Sequence, residues 1–317
     1  MDVVGSILMI CVIAVFTIVI LLGLVTFLLS CVRVKEPDWK DKEKLKKTPY
    51  KNFADQIVEA DLWLQKHSHQ DLWMESHDGL KLHAYWVPVE NAKATVILAH
   101  GYRSTWRLDF GLVLQVYRDM GLNLLIPDQR AHGMSQGKCI TFGIKECEDM
   151  HRWLIYHNRE FGLFPVLLCG LSMGASTMMY LADCELPENA KALLVDCGFT
   201  SPWAIISVVF RKILHIPPKP AMWVGNLFAR IFAGVDFREK DSRKILKRCK
   251  LPILMVHGLD DGFVPAYMTQ QGYDACVGDK ELFLVEGADH GVSFLTDREG
   301  YITRATAFIQ RTLNITI

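Results

Sequence analysis

Ser172 sits in Gly170-Leu171-Ser172-Met173-Gly174, after an apolar run at 165–169 and before a helix-like stretch at 175–181. This is G-x-S-x-G placed at a strand-to-helix turn, the nucleophile elbow. The turn is sharp, so Gly170 and Gly174 keep side chains out of the way while Ser172 projects into a cleft. A serine hydroxyl is a poor nucleophile until a base takes its proton, and that base needs a third group to orient it.

The partners are found downstream. A buried-strand pattern at 251–256 runs into His257-Gly258-Leu259-Asp260-Asp261-Gly262-Phe263-Val264-Pro265. A second strand at 281–285 runs into Glu286-Gly287-Ala288-Asp289-His290-Gly291. Each polar group follows a strand end, where open α/β sheets place their ligands. Ser172, an aspartate at 260 or 261, and His290 therefore stand in the order nucleophile, acid, base.

These residues resemble the α/β-hydrolase superfamily, and within it the serine-aminopeptidase-like and monoacylglycerol-lipase-like serine hydrolases. The likeness runs from about residue 70 to the C-terminus. It rests on His100-Gly101-Tyr102, on Asp128-Gln129-Arg130-Ala131-His132-Gly133-Met134-Ser135, on the elbow, on 257–265 and on Asp289-His290-Gly291. The family's H-G-x-x-D-x-x-V-P register selects Asp261, with Asp260 as the neighbouring alternative. The resemblance also implies an oxyanion hole made by the backbone N–H groups of Tyr102 and Met173. Losing one such donor typically costs ~10²–10³ in rate.

Other polar residues read as structural. In the resembled family the loop holding His132 ties loops together. His100 and His257 precede strand-end glycines and read as buried hydrogen-bonding groups. His67, His69 and Asp71 cluster without a fourth ligand, so no metal is expected. No phosphate loop or dinucleotide fingerprint occurs, and no organic cofactor is expected. The basic cluster near residue 40 lacks interleaved aromatics, and the net charge is zero, which argues against a nucleic-acid partner. Oligomeric state is not legible.

The N-terminal stretch carries no charge between Asp2 and Arg33. At ~1.5 Å per residue it exceeds the ~30 Å hydrocarbon core, so it predicts a membrane anchor over 1–34. It lacks the basic start and small-residue cleavage site of a secretory signal. Arg33, Lys35, Lys40, Lys42, Lys44, Lys46, Lys47 and Lys51 crowd its C-terminal flank, which predicts a cytoplasmic catalytic domain. Seven of the nine cysteines lie beyond the anchor; they read as small buried hydrophobes and not as a disulfide framework.

Residues 35–70 read as a charged, flexible linker and a juxtamembrane helix, with Phe53, Ile57, Ala60 and Leu64 at helical spacing. From 71 to 317, strand-like runs alternate with helical segments. The expected fold class is therefore α/β: an α/β-hydrolase fold with a mainly parallel sheet, preceded by one transmembrane helix. Between about 202 and 235 lies an apolar segment, broken by Pro217, Pro218 and Pro220, whose charges Arg211, Lys212, Lys219 and Arg230 are all basic. It reads as a helical cap over the site, with Phe210, Trp223 and Phe228 offered to a lipid-like acyl substrate. The expected function is a membrane-anchored serine hydrolase of carboxylic esters. Peptidase, amidase or acyltransferase chemistry is the alternative within the fold, and a catalytically silent tethered interaction module is the alternative outside it.

Overall fold

A computed structural model describes residues 3–35, 41–60, 62–214 and 218–317, without the side chains of Ile213 and Leu214. Lys40, Ile216 and Pro217 lie outside the described residues. The first elements are helix α1 (Val3–Cys31), short helices α2 (Lys42–Leu45) and α3 (Ala54–Ala60), and strands β1 (Gln70–Glu75), β2 (Lys81–Val87) and β3 (Ala94–Ala99). Helices α4 (Trp106–Phe110) and α5 (Leu114–Asp119) precede β4 (Leu122–Pro127), α6 (Ile144–Phe161), β5 (Val166–Leu171), α7 (Met173–Leu181) and β6 (Ala190–Asp196). The chain ends with α8 (Pro202–Leu214), α9 (Lys219–Phe228), α10 (Ser242–Ile245), β7 (Ile253–Gly258), α11 (Tyr267–Ala275), β8 (Lys280–Val285), α12 (Ser293–Thr296) and α13 (Arg298–Leu313).

The strands form one eight-stranded sheet in the order β1-β2-β4-β3-β5-β6-β7-β8. The hairpin β1–β2 and the β2–β4 pair are antiparallel, and every later pairing is parallel. Strands β3, β4, β5 and β7 are buried at every residue, which is why they read as nearly continuous apolar runs, interrupted by Thr95, Asn123 and His257. Two hydrophobic clusters, one on each face, sandwich the sheet between helices. Parallel strands deliver their C-terminal ends to one edge, so the turns after β3, β5, β6, β7 and β8 converge there.

Helix α1 is long and apolar enough to cross a membrane. No residue from Val3 to Leu22 is buried, whereas Gly23, Thr26, Phe27 and Cys31 are. The helix thus has a free section and a docked one. Its C-terminal end is plugged into the α/β body. Arg33 donates through both terminal nitrogens to the carbonyls of Gly133 and Ser135, at 2.7 Å each. The Arg33 N–H reaches Lys138 O at 2.8 Å, and Val32 bridges to Cys139.

Of the linker expected over residues 35–49, residues 36–40 lie outside the described residues, and the part from Asp41 onward packs on the body. Val32 and Arg33 are held by the body, and Leu45 is fully buried in a small cluster with Tyr50, Ala54 and Ile57. Leu45, Tyr50, Ala54 and Ile57 give this part of the chain an apolar surface, which it buries against Leu108 and Val292. A 3₁₀ turn at Pro49–Phe53 leads into α3, and a separate 3₁₀ turn follows at Leu64–Lys66.

Candidate active site

Ser172 occupies the single-residue turn between β5 and α7, with φ 56° and ψ −116°. A non-glycine residue is costly there, and such strain persists only where the surroundings over-determine it. They do so here. The Ser172 N–H donates to the Asp196 carbonyl at 2.8 Å. A Cβ on Gly170 would overlap the backbone of Gly174, and one on Gly174 would overlap the Ala99 carbonyl, so both positions accept only glycine.

His290, after β8, sits with Nε2 2.9 Å from Ser172 Oγ. Its Nδ1 lies 2.7 Å from Asp261 Oδ2. Asp261 is buried in the turn after β7. Its Oδ1 accepts the N–H groups of Phe263 and Val264 at 2.8 and 2.7 Å. Burial alone would favour the neutral acid, but hydrogen bonds from His257 and His290 outweigh it and hold the carboxyl well below the ordinary carboxylate range. An ionised carboxylate only accepts, so Nδ1–H of His290 donates to it and Nε2 is left to accept the serine proton. Asp260 is exposed and has no such contact; its N–H donates to the Ala288 carbonyl.

Met173 is the first residue of α7, where N–H groups have no partner in the helix. Tyr102 follows the β3 end. Neither N–H meets an acceptor among the described residues. Three groups shape the Tyr102 turn. Asp109 accepts the Gly101 N–H at 2.6 Å and the Ser104 hydroxyl at 2.6 Å. His132 Nε2 accepts the Arg103 N–H at 3.0 Å, and burial holds His132 well below the ordinary imidazole range, in the neutral form that can accept. Gln129 reaches the His100 carbonyl.

Ser172 opens into a cavity of about 370 Å³, within the ~300–1,000 Å³ of small-molecule sites. Its walls are mostly apolar: Phe142, Phe199, Ile205, Ile206, Val209, Phe210 and Phe263, together with residues of α1. Phe210 of the expected cap set lines it. Trp223 and Phe228 do not. Trp223 packs edge-on against Trp203 at 5.6 Å with the Arg238 guanidinium 4.6 Å from its ring, on the outer side of the cap. Phe228 packs on Phe27 and Phe232. The reason is that α9 spends its apolar stripe on α1, leaving α8 to roof the cavity.

No protein-family profile matches the chain. Among solved structures, the esterase Pf2001 of Pyrococcus furiosus superposes with a TM-score of 0.65 at 23% identity, over 80% of this chain and 95% of that one. Est1E of Butyrivibrio proteoclasticus, solved with ferulic acid bound, superposes with a TM-score of 0.60 at 19% identity, over 77% and 100%. The chain has the α/β-hydrolase fold. In sequence it is similar to the uncharacterised YqkD of Bacillus subtilis, at 25% identity over 73% of this chain and 76% of that protein. It also resembles the alpha/beta hydrolase domain-containing protein WAV2 of Arabidopsis thaliana, at 20% identity over 65% and 66%.

Within this α/β-hydrolase frame, several residues near the site had no legible signal. Asp196 is buried beneath it at the end of β6, and half-buried Asp109 stands on α4, both in segments with no motif. Cys197 Sγ lies within 4.8 Å of the ligand atoms of Asp261 and His290. Burial pushes its thiol well above the ordinary range, and a protonated thiol is a poor metal ligand. His67 stacks on Trp63, and Asp71 pairs with His83 at 2.8 Å. Of the cap cations, Lys212 donates to the Gly262 carbonyl and Arg230 lies 3.8 Å from Asp236, while Arg211 and Lys219 are exposed.

Proposed function

We propose that this protein is a membrane-anchored serine hydrolase that cleaves carboxylic esters of apolar acyl groups through an acyl-enzyme on Ser172. The observation that carries this reading is the unbroken chain Asp261–His290–Ser172 opening onto the apolar cavity. His290 Nε2 takes the hydroxyl proton as Oγ attacks the ester carbonyl. The N–H groups of Tyr102 and Met173 stabilise the oxyanion, whose charge exists only in the tetrahedral intermediate. His290 then returns the proton to the departing alkoxide, and the acyl group stays on Ser172. Water repeats the cycle from the other side: His290 deprotonates it, hydroxide attacks the acyl carbon, and Ser172 leaves with the proton restored.

Helix α1 inserts in the bilayer, and the basic flank from Arg33 to Lys51 keeps the hydrolase body on the cytoplasmic side. The decisive experiment treats the full-length protein with a fluorophosphonate probe and then screens p-nitrophenyl esters of graded chain length. Labelling of Ser172, with preference for medium or long chains, supports the reading. A wild-type protein that neither labels nor hydrolyses any ester overturns it.

A further inference from the structure

We propose that the docked end of the membrane helix is itself a wall of the acyl cavity, so that the acyl chain of a bilayer-resident ester lies between α1 and α8. This deepens the hydrolase reading and rests on it for the chemistry, though not for the occupancy of the cavity.

The cavity that opens on Ser172 is lined from α1 by Leu22, Val25, Thr26, Leu29 and Ser30. Their spacing of i, i+3, i+4, i+7 and i+8 is one continuous stripe of a helix. An adjacent stripe, Gly23 and Phe27, is turned to α9. Phe27 lies 6.5 Å from Phe228 and 5.8 Å from Phe232. A Cβ on Gly23 would stand 2.5 Å from Val224 Cβ, so the close crossing of α1 and α9 needs glycine there. The helix is thus held with a fixed face toward the cavity.

The section of α1 before the contact, Val3–Leu22, is about 20 residues, or about 30 Å at ~1.5 Å per residue, which matches the hydrocarbon thickness. The docked turns then fall at the interface, with the cavity beside them. Val25 and Leu29 are exposed on this stripe, although they line the cavity, so the wall is open along the helix. Exposed Leu227, Ile231 and Phe232 extend the apolar surface beside the same crossing. An acyl chain can therefore pass from lipid to Ser172 along α1 without crossing water. A chain that moves from bilayer to cavity by this route stays in apolar surroundings throughout and never meets the cost of entering water.

The helix end is also tied to the candidate oxyanion loop. Tyr102 Oη donates to the Ser30 carbonyl at 2.9 Å, and Arg103 Nη2 to the carbonyls of Leu29 and Val32 at 2.8 and 3.1 Å. These side chains satisfy carbonyls that a helix C-terminus leaves orphaned, and the Arg103 cation sits at the negative end of the helix dipole.

The test uses full-length protein in nanodiscs. Photolysis with palmitic acid carrying a mid-chain diazirine, followed by peptide mapping, is expected to label both Leu22–Ser30 of α1 and Ile205–Phe210 of α8. Leu29→Trp and Val25→Trp fill the wall; each is expected to lower labelling of α8 and to reduce the ratio of kcat/KM for dodecanoyl over acetyl esters by roughly tenfold. Ile13→Trp, on the free section, is the control and leaves both readouts unchanged. Labelling of α1 without α8, or a dodecanoyl-to-acetyl ratio unmoved by both tryptophans, overturns the proposal. Labelling of both helices in a protein that hydrolyses no ester upholds the acyl site and overturns only the hydrolase reading.

Discussion

His257 and His290 hold the same carboxylate oxygen of Asp261, at 3.1 and 2.7 Å. The acid is therefore kept ionised in a buried site by two imidazoles, only one of which faces Ser172. His257 is a positioning residue in this arrangement: it has no contact with Ser172 and acts through Asp261. Hydrogen bonds to charged groups contribute about 1.5–3 kcal/mol. His257→Gln is accordingly expected to lower kcat about tenfold or more with little change in KM, read by steady-state ester hydrolysis. An unchanged kcat would show that the second imidazole only fills space.

The two neighbouring aspartates separate cleanly. Asp261→Asn removes the group that selects the His290 tautomer, and a loss of kcat on the order of 10⁴ is expected. Asp260→Asn alters an exposed side chain, and its kcat/KM is expected to stay within about threefold of wild type. Paired kinetics on the two variants, with circular dichroism to verify folding, decide the matter; the reverse ranking would move the acid by one residue.

Ser172 and His290 act as a unit in the proposed mechanism. Ser172→Ala and His290→Ala are each expected to abolish most turnover, by roughly 10⁴-fold or more, and the double variant to be little worse than either. Additive losses, or undiminished fluorophosphonate labelling of Ser172→Ala, would remove the triad.

Asp109 fixes the Gly101 N–H and the Ser104 hydroxyl beneath the Tyr102 turn. Asp109→Ala leaves that turn without its anchor. A fall in kcat of about 10–10², with KM nearly unchanged, is expected because only the transition state would use the proposed oxyanion donor at Tyr102. If KM rises instead while kcat holds, the loop serves substrate binding and not the transition state.

Asp196 predicts a pH signature in stability. Burial raises its carboxyl from an ordinary 3.8 to about 6. Between about pH 4 and pH 6 the folded protein keeps a proton that the unfolded chain has released, so stability falls as pH rises through that window and levels off above it. The full penalty is roughly 3 kcal/mol at ~1.4 kcal/mol per unit. Asp196→Asn mimics the protonated form, and its gain in Tm over wild type is expected to be larger at pH 8 than at pH 4.5, by thermal denaturation in detergent. An equal difference at the two pH values would show that the carboxyl is ionised throughout.

Much of the fold was legible because parallel strands buried on both faces are nearly continuous apolar runs, as at 94–99, 122–127 and 166–171, where Thr95 and Asn123 are the polar interruptions. The order Ser172, an aspartate at 260 or 261, His290 was legible for a related reason, since each follows such a run and strand ends on one edge of a sheet converge; the choice of Asp261 came from the register of the resembled family. The sequence alone also determined that α1 can enter a bilayer, since uninterrupted apolar composition over that length is a local property. What it did not determine was which surfaces meet. Trp223 and Phe228 carry the same apolar character as Phe210, yet only Phe210 reaches the cavity, because the rotation of α9 is set by its crossing with α1 at Gly23. Asp196 gains its surroundings from Ser172 and Ser293, distant in the chain, and the same is true of the last turns of the anchor. Composition and period decide which element forms; close packing between elements far apart in the chain decides which of its faces becomes the site.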